Sequence, residues 1–360
     1  MNSTIVIPSR RTAIEKRKAA GGKIAAVFPI HYPRALFWAH GLLPVEVWGP
    51  PGAERAPAGS HLQAYTCDIV HAGLGFLLSG GLAAADAIVA PHGCDSLQGL
   101  GSILLDFIPP AQPVFPFYLP RAAREADIDY FAREIESLSR QLSSVSGRTP
   151  SRDELHKAIT EDEAADGELE RLWERRAELP LDNQTLYALS RARGYLAPQE
   201  FCGLARQAQA VAAPAASAKT VVISGVIAEP AAMLSLLDRA GIRVGADDTL
   251  CLGRRFYPAG RSDDPYRRMA ERILSAPPDS TRGSAIGERG ERLLSLCRRA
   301  GARGVIFRLV KFCEPEQFYL PALRRALDEA NILNLVLETD LAAGLDGPSQ
   351  TRLEAFLEML

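Results

Sequence analysis

Short, almost wholly apolar runs alternate with amphipathic stretches along most of the chain. In the first half, Lys23–Pro29, Val45–Trp48, Ala87–Pro91 and Val114–Leu119 read as strands. Lys219–Ser224, Ile242–Ala246, Gly304–Val310 and Ile332–Leu337 read the same way in the second half. Strands that are apolar on both faces are covered by helices on both sides, so the pattern predicts an α/β chain built on parallel sheets with helical crossovers. Between the halves lies a long polar helical stretch. Ser151 and Glu154 form a capping box that opens a helix reaching Glu170–Glu178, and its charge marks it as solvated or as a clamp between domains. Gln207–Lys219 is alanine-rich and precedes a fresh strand, which sets the expected boundary there. The reading is an N-terminal α/β domain over 1–212, with helical segment from about 122, and a C-terminal α/β domain over 213–360.

Composition narrows the function. A chain of 360 residues that is 47% hydrophobic and 23% charged is neither disordered nor fibrous. A net charge of -2 lacks the positive field of a general nucleic-acid binder. The longest apolar candidate for a membrane span, Gly73–Val89, is broken by glycines and Asp86. The short apolar run Thr4–Pro8 precedes a basic patch, the wrong order for a secretory signal, so a cytoplasmic location is expected. There the six cysteines are expected to be free thiols.

Three of those thiols stand out. Cys67 precedes the helical run Ile69–Leu78, Cys94 follows the strand ending at Pro91, and Cys313 follows the strand ending at Val310. The carboxyl edge of an open α/β sheet is where ligands bind, and helix N-termini there stabilise anions. Thiolates from separate strands meeting at that edge can hold an iron–sulfur cluster; buried thiols acting as small hydrophobes are the alternative. Cys202 and Cys297 lie on amphipathic helices and read as packing, whereas Cys251 shares a loop with Asp247, Asp248, Arg254 and Arg255. Gly73-Leu74-Gly75 and Gly225 do not complete a dinucleotide turn, and no phosphate-loop lysine motif occurs. The six histidines show no zinc spacing, and a serine nucleophile elbow is absent.

Longer motifs carry a resemblance. The segment from Tyr32-Pro33-Arg34 through His40-Gly41-Leu42-Leu43-Pro44 to Trp48-Gly49 is similar to the N-terminal signature of the 2-hydroxyacyl-CoA dehydratase and benzoyl-CoA reductase family. His92-Gly93-Cys94-Asp95-Ser96, Asp247-Asp248 through Cys251 to Arg255, Gly304-Val305-Ile306-Phe307 with Lys311-Phe312-Cys313-Glu314-Pro315, and Leu337-Glu338-Thr339-Asp340 follow in the family's order. The resemblance implies two Rossmann-like α/β domains, with parallel sheets flanked by helices and a helical insertion between them. It also implies a [4Fe-4S] cluster held by Cys67, Cys94 and Cys313, with one iron left open. The chemistry implied is one-electron reduction of an acyl-CoA thioester to a ketyl radical, leading to loss of a 2-hydroxyl or to ring reduction. A related second subunit in a heterodimer, or a homodimer, and a separate ATP-dependent iron–sulfur activator are the expected partners. His31 and His92 lie near strand ends and are candidates for acid–base work. Arg254 and Arg255 are candidates for the phosphates of coenzyme A, or else pair with Asp247 and Asp248. Two further readings stay open: a double-cubane reductase of small molecules drawing on Cys202, Cys251 and Cys297, and a non-catalytic electron-relay subunit.

Overall fold

A computed structural model describes residues 5–50, 52–210, 218–228, 231–341 and 344–360. The eight apolar runs form two four-stranded, all-parallel sheets. The first contains β1 (Lys23–Val27), β2 (Leu42–Glu46), β3 (Ala87–His92) and β4 (Val114–Tyr118) in the order β2-β1-β3-β4. The second contains β5 (Thr220–Gly225), β6 (Arg243–Thr249), β7 (Gly304–Val310) and β8 (Leu333–Thr339) in the order β6-β5-β7-β8. Both sheets therefore have the same topology, and in each the winding direction reverses beside the first strand. Such a reversal opens a crevice at the carboxyl ends of the strands.

Helices α1 (Arg10–Ala19), α2 (Arg34–Ala39), α3 (Asp68–Leu78) and α4 (Asp95–Asp106) accompany the first sheet. A helical segment follows, with α5 (Glu125–Ser146), α6 (Arg152–Glu174), α7 (Asn183–Ala192) and α8 (Pro198–Gln209). The second sheet carries α9 (Ala231–Arg239), α10 (Pro265–Leu274), α11 (Ile286–Ala300), α12 (Glu314–Glu329) and α13 (Gly347–Met359). Among the described residues no helix is long and apolar enough to cross a membrane.

The expected elements form, with shifted ends. β2 spans Leu42–Glu46 rather than Val45–Trp48, because Gly41, at φ 68°, turns the chain so that Leu42 pairs with Lys23. Pro44 is tolerated because β2 is an edge strand. β6 runs on to Thr249, so Asp247 and Asp248 stand on a strand and not in a loop. The Ser151 capping box is complete: Ser151 Oγ accepts from the Glu154 N–H at 3.3 Å and the Glu154 carboxylate accepts from the Ser151 N–H at 2.8 Å. The helix it opens ends at Glu174.

That helix is a clamp. Asp162 and Asp166 of α6 are buried and meet Arg34 of α2, Arg193 after α7 and Arg272 of α10. Although α10 lies in the second half of the chain, its Met269, Ala270 and Ile273 pack into the core beneath the first sheet, with Val27 and Phe131. The Gln207–Lys219 boundary falls largely on residues 211–217, outside the described residues.

Candidate functional site

Cys67, Cys94 and Cys313 each occupy the N-cap position of a helix: Cys67 for α3, Cys94 for α4 and Cys313 for α12. β3 and β7 hold the same place in two equivalent sheets, so Cys94 and Cys313 stand at matching corners. The three come together although they are far apart in sequence. The thiols of Cys67 and Cys313 are hydrogen-bonded to each other, and Cys94 lies within electrostatic reach of both. The helix starts supply further donors, from Ile69 and Val70 to Cys67 and from Ser96 and Leu97 to Cys94.

These contacts set the thiol chemistry. The Cys313 hydrogen bond, followed by the α3 amides, lowers the pKa of Cys67 against its burial. Donating that bond, together with burial, holds Cys313 well above the ordinary thiol range. Burial, then the charge of Cys67, pushes Cys94 up to about 12. The contacts thus make Cys67 the most readily ionised of the three thiols, and a metal centre deprotonates its thiol ligands whatever that order. Among the described residues no group of three or more His, Cys, Asp or Glu can hold a single metal ion. Three separate cysteines do suit a cluster, in which each thiolate binds its own iron.

Two features fix the trio. Phe312 has φ 61°, a left-handed conformation uncommon outside glycine, at the turn from β7 into α12. The Lys311 carbonyl in that turn accepts from the Asp68 N–H at 3.2 Å, joining the Cys67 and Cys313 corners. The Asp68 carboxylate accepts from Arg55 and from the Leu341 N–H at 2.8 Å, and Asp340 binds Arg55 and Lys311, each at 3.0 Å.

The remaining candidates separate. His31 is fully buried, with Nε2 2.8 Å from Asp279 Oδ2 and Nδ1 3.0 Å from the Tyr257 hydroxyl; burial lowers its pKa despite Asp279. His92, at the end of β3, is partly exposed, its ring edge-on to Tyr118 at 5.7 Å. Arg254 and Arg255 are buried and engaged with carboxylates. Arg254 grips Glu316 with two bonds of 2.5 and 3.0 Å and lies 3.5 Å from Asp248, while Arg255 binds Glu46 at 2.7 Å. Of the expected pairings with Asp247 and Asp248, only Arg254 with Asp248 occurs among these ion pairs; Asp247 accepts instead from Tyr187 at 2.5 Å. Cys202 and Cys297 are buried on α8 and α11, and the Cys251 sulfur lies 3.2 Å from the Thr249 hydroxyl. All six cysteines are free.

Sequence reading missed Glu46, Tyr257, Asp279 and Glu316. From Glu316 beside Cys313, polar contacts continue through Arg254 to Asp279, His31, Tyr257, Arg255 and Glu46. Glu46 was legible as a lone acid inside an apolar run; Asp279 and Tyr257 lie in loops and carried no periodic signal.

Two sheets of one topology with thiols at matching helix starts define an α/β protein whose candidate site, the three cysteines, lies at the carboxyl edge of its strands. The chain belongs to the family of the 2-hydroxyglutaryl-CoA dehydratase D-component, whose family model matches residues 29–360. It is 26% identical to the (R)-2-hydroxyglutaryl-CoA dehydratase beta subunit of Acidaminococcus fermentans, over 99% of this chain and 97% of that protein. It is also 26% identical to the lactoyl-CoA dehydratase beta subunit of Anaerotignum propionicum, over 99% and 96%. A benzoyl-CoA reductase subunit of Thauera aromatica is 24% identical, over 86% of this chain and 83% of its own length.

Proposed function

We propose that this chain is a [4Fe-4S] subunit of an enzyme acting on an acyl-CoA thioester, with Cys67, Cys94 and Cys313 as the cluster ligands. The convergence of these three thiols at three helix N-termini, in a chain of this family, carries the reading. Three protein thiolates leave one position for a small ligand or a substrate carbonyl. When bound, such a cluster supplies single electrons of low potential. The chain's own residues bury the centre, and the N-termini of α3, α4 and α12 stabilise the negative charge of cluster and thiolates. His31 holds a proton between Asp279 and Tyr257, and His92, two residues from Cys94, is placed to pass one at the exposed edge. Dehydration of a 2-hydroxyacyl-CoA is the favoured reaction, since three relatives matching 99% of the chain are named as dehydratase subunits. Ring reduction is the alternative. The working form is a cytoplasmic heterodimer with a related subunit, recharged by an ATP-dependent activator.

A second reading, an electron relay serving a site on the companion subunit, is favoured by the internal pairing of Arg254 and Arg255, which takes away the expected phosphate contacts. Anaerobic production followed by iron and sulfide analysis and electron paramagnetic resonance tests the cofactor. About four irons per chain are expected, lost in Cys94→Ala; iron unchanged by that substitution refutes the ligand set. Iron unchanged in the triple variant C202A/C251A/C297A removes the double cluster. Binding of an acyl-CoA to the loaded chain alone argues against the relay.

A further inference from the structure

A cavity of about 20 Å³ lies inside the α6 clamp, bordered by Arg34, Glu46, Arg193, Gly194, Leu252 and Arg255. That is room for one guest of about the size of a water. Arg34, Arg193 and Arg255 are no more than 5% exposed. Two of their donors lack an acceptor: Arg193 Nη1 and Arg34 Nε are buried and make no hydrogen bond among the described residues. The acid nearest to Arg34 Nε is Asp162, 3.8 Å away. Buried donors left bare are costly, and a guanidinium group can only donate, so the guest must accept.

A water could serve both donors, but it would leave the charge unbalanced. Arg34, Arg193 and Arg272 share the carboxylates of Asp162 and Asp166, while Arg255 is matched by Glu46. Four guanidinium groups thus meet three carboxylates. Glu163, which reaches Arg272 at 3.5 Å, is paired with Arg268, so the rim adds one charge of each sign. Arg191 also borders the cavity; it stands 5.2 Å over the Trp48 ring and is otherwise engaged, so none of the excess is drawn from it. Burial opposes ionisation of Glu46 and Asp162, yet Arg255 and Arg193, each helped by Arg34, hold both carboxyls well below the carboxylate range. The excess is therefore positive with both acids ionised, and a buried charge without a partner is expensive.

We propose that this cavity holds one monatomic monovalent anion, chloride in ordinary solution, gripped by Arg34 and Arg193. The ion accepts from the two bare N–H groups and balances the excess where α2, α6, α10 and the turn after α7 meet, closing the clamp between the halves of the chain. Polyatomic anions are too large for the space. Neither the thiols nor a cluster takes part, so the apo chain suffices as the sample.

Thermal melts of the full chain in sodium gluconate and sodium chloride at one ionic strength, together with chlorine NMR line widths, test the assignment. The melting temperature should rise saturably as chloride replaces gluconate. The chloride line should broaden with added protein and sharpen again when bromide displaces the ion. Gly194→Ala sets a Cβ 3.2 Å from the Glu46 carboxylate and narrows the cavity, so it should abolish both effects with circular dichroism unchanged. Arg193→Lys keeps the charge but removes Nη1, and should lower chloride affinity about tenfold. Cys67→Ala should leave both readouts intact, which separates this site from the fate of the cluster reading. No saturable rise, or no broadening that bromide reverses, overturns the proposal and leaves a water as the occupant. Broadening untouched by both the Gly194 and Arg193 variants puts the chloride elsewhere and overturns it equally.

Discussion

Asp248 and Glu316 share Arg254, and removing each in turn should cost different amounts. Asp248 accepts from Arg289 at 2.9 and 2.8 Å and from Ser224 at 2.7 Å, and it lies 3.5 Å from Arg254. Both arginines have 0% exposure, and among the described residues the hydrogen bonds of the Arg289 side chain all go to Asp248. Breaking a buried ion pair by deleting one partner costs about 3–5 kcal/mol, because the other charge stays desolvated. Asp248→Ala strands Arg289 and loosens Arg254, placing it at the upper end, about 5 kcal/mol. Glu316→Ala leaves Arg254 with Asp248 at 3.5 Å and Asp279 at 3.8 Å, placing it at the lower end, about 3 kcal/mol. Against a total stability of about 5–15 kcal/mol, either loss is plain in urea unfolding followed by circular dichroism. A cost below about 1 kcal/mol for Asp248→Ala, or one smaller than that of Glu316→Ala, would refute the view that these charges depend on each other for burial.

Acid should weaken the fold in two stages. Burial depresses the pKa of His40 to about 4, against about 6.5 unfolded, so its contribution is intact above that value and falls as pH drops toward 4. Burial opposes ionisation of Asp248 and Glu46, yet Arg289 and Arg255 hold them well below the carboxylate range; their contribution is complete above about pH 4 and is lost below it. Urea midpoints measured from pH 8 to 3 check both stages, and His40→Gln should flatten the upper one; a slope there that the variant leaves unchanged contradicts the assignment. Gly75→Ala places a Cβ 1.9 Å from the Glu54 carbonyl oxygen, against the helix that Cys67 caps, and should lower the melting temperature by roughly 5 °C or more. Gly99→Ala, on α4 with nothing within 4 Å, should instead stabilise by about 0.5–1 kcal/mol, measured in the same melts. Equal behaviour of the two would show that the close approach at Gly75 does not constrain α3.

The eight apolar runs, the Ser151 capping box and the placement of Cys94 and Cys313 just past strands were legible along the chain. Strand alternation and helix capping are encoded within a few residues, and the long motifs named the family that the whole-chain match then showed. The ends of β2 and β6 were less legible, since Pro44 and the acids Asp247 and Asp248 break the local signal although sheet position accommodates them. Only the tertiary structure decided that α10 packs under the first sheet and that the Cys67 thiol bonds to Cys313. It likewise decided that Arg254 and Arg255 spend their charge on Glu316 and Glu46. Those outcomes join residues up to 246 positions apart in the Cys67–Cys313 pair and 209 in the Glu46–Arg255 pair. No local periodicity reports such contacts, because they are selected by how two whole sheets pack and by the cost of leaving a buried charge without a partner.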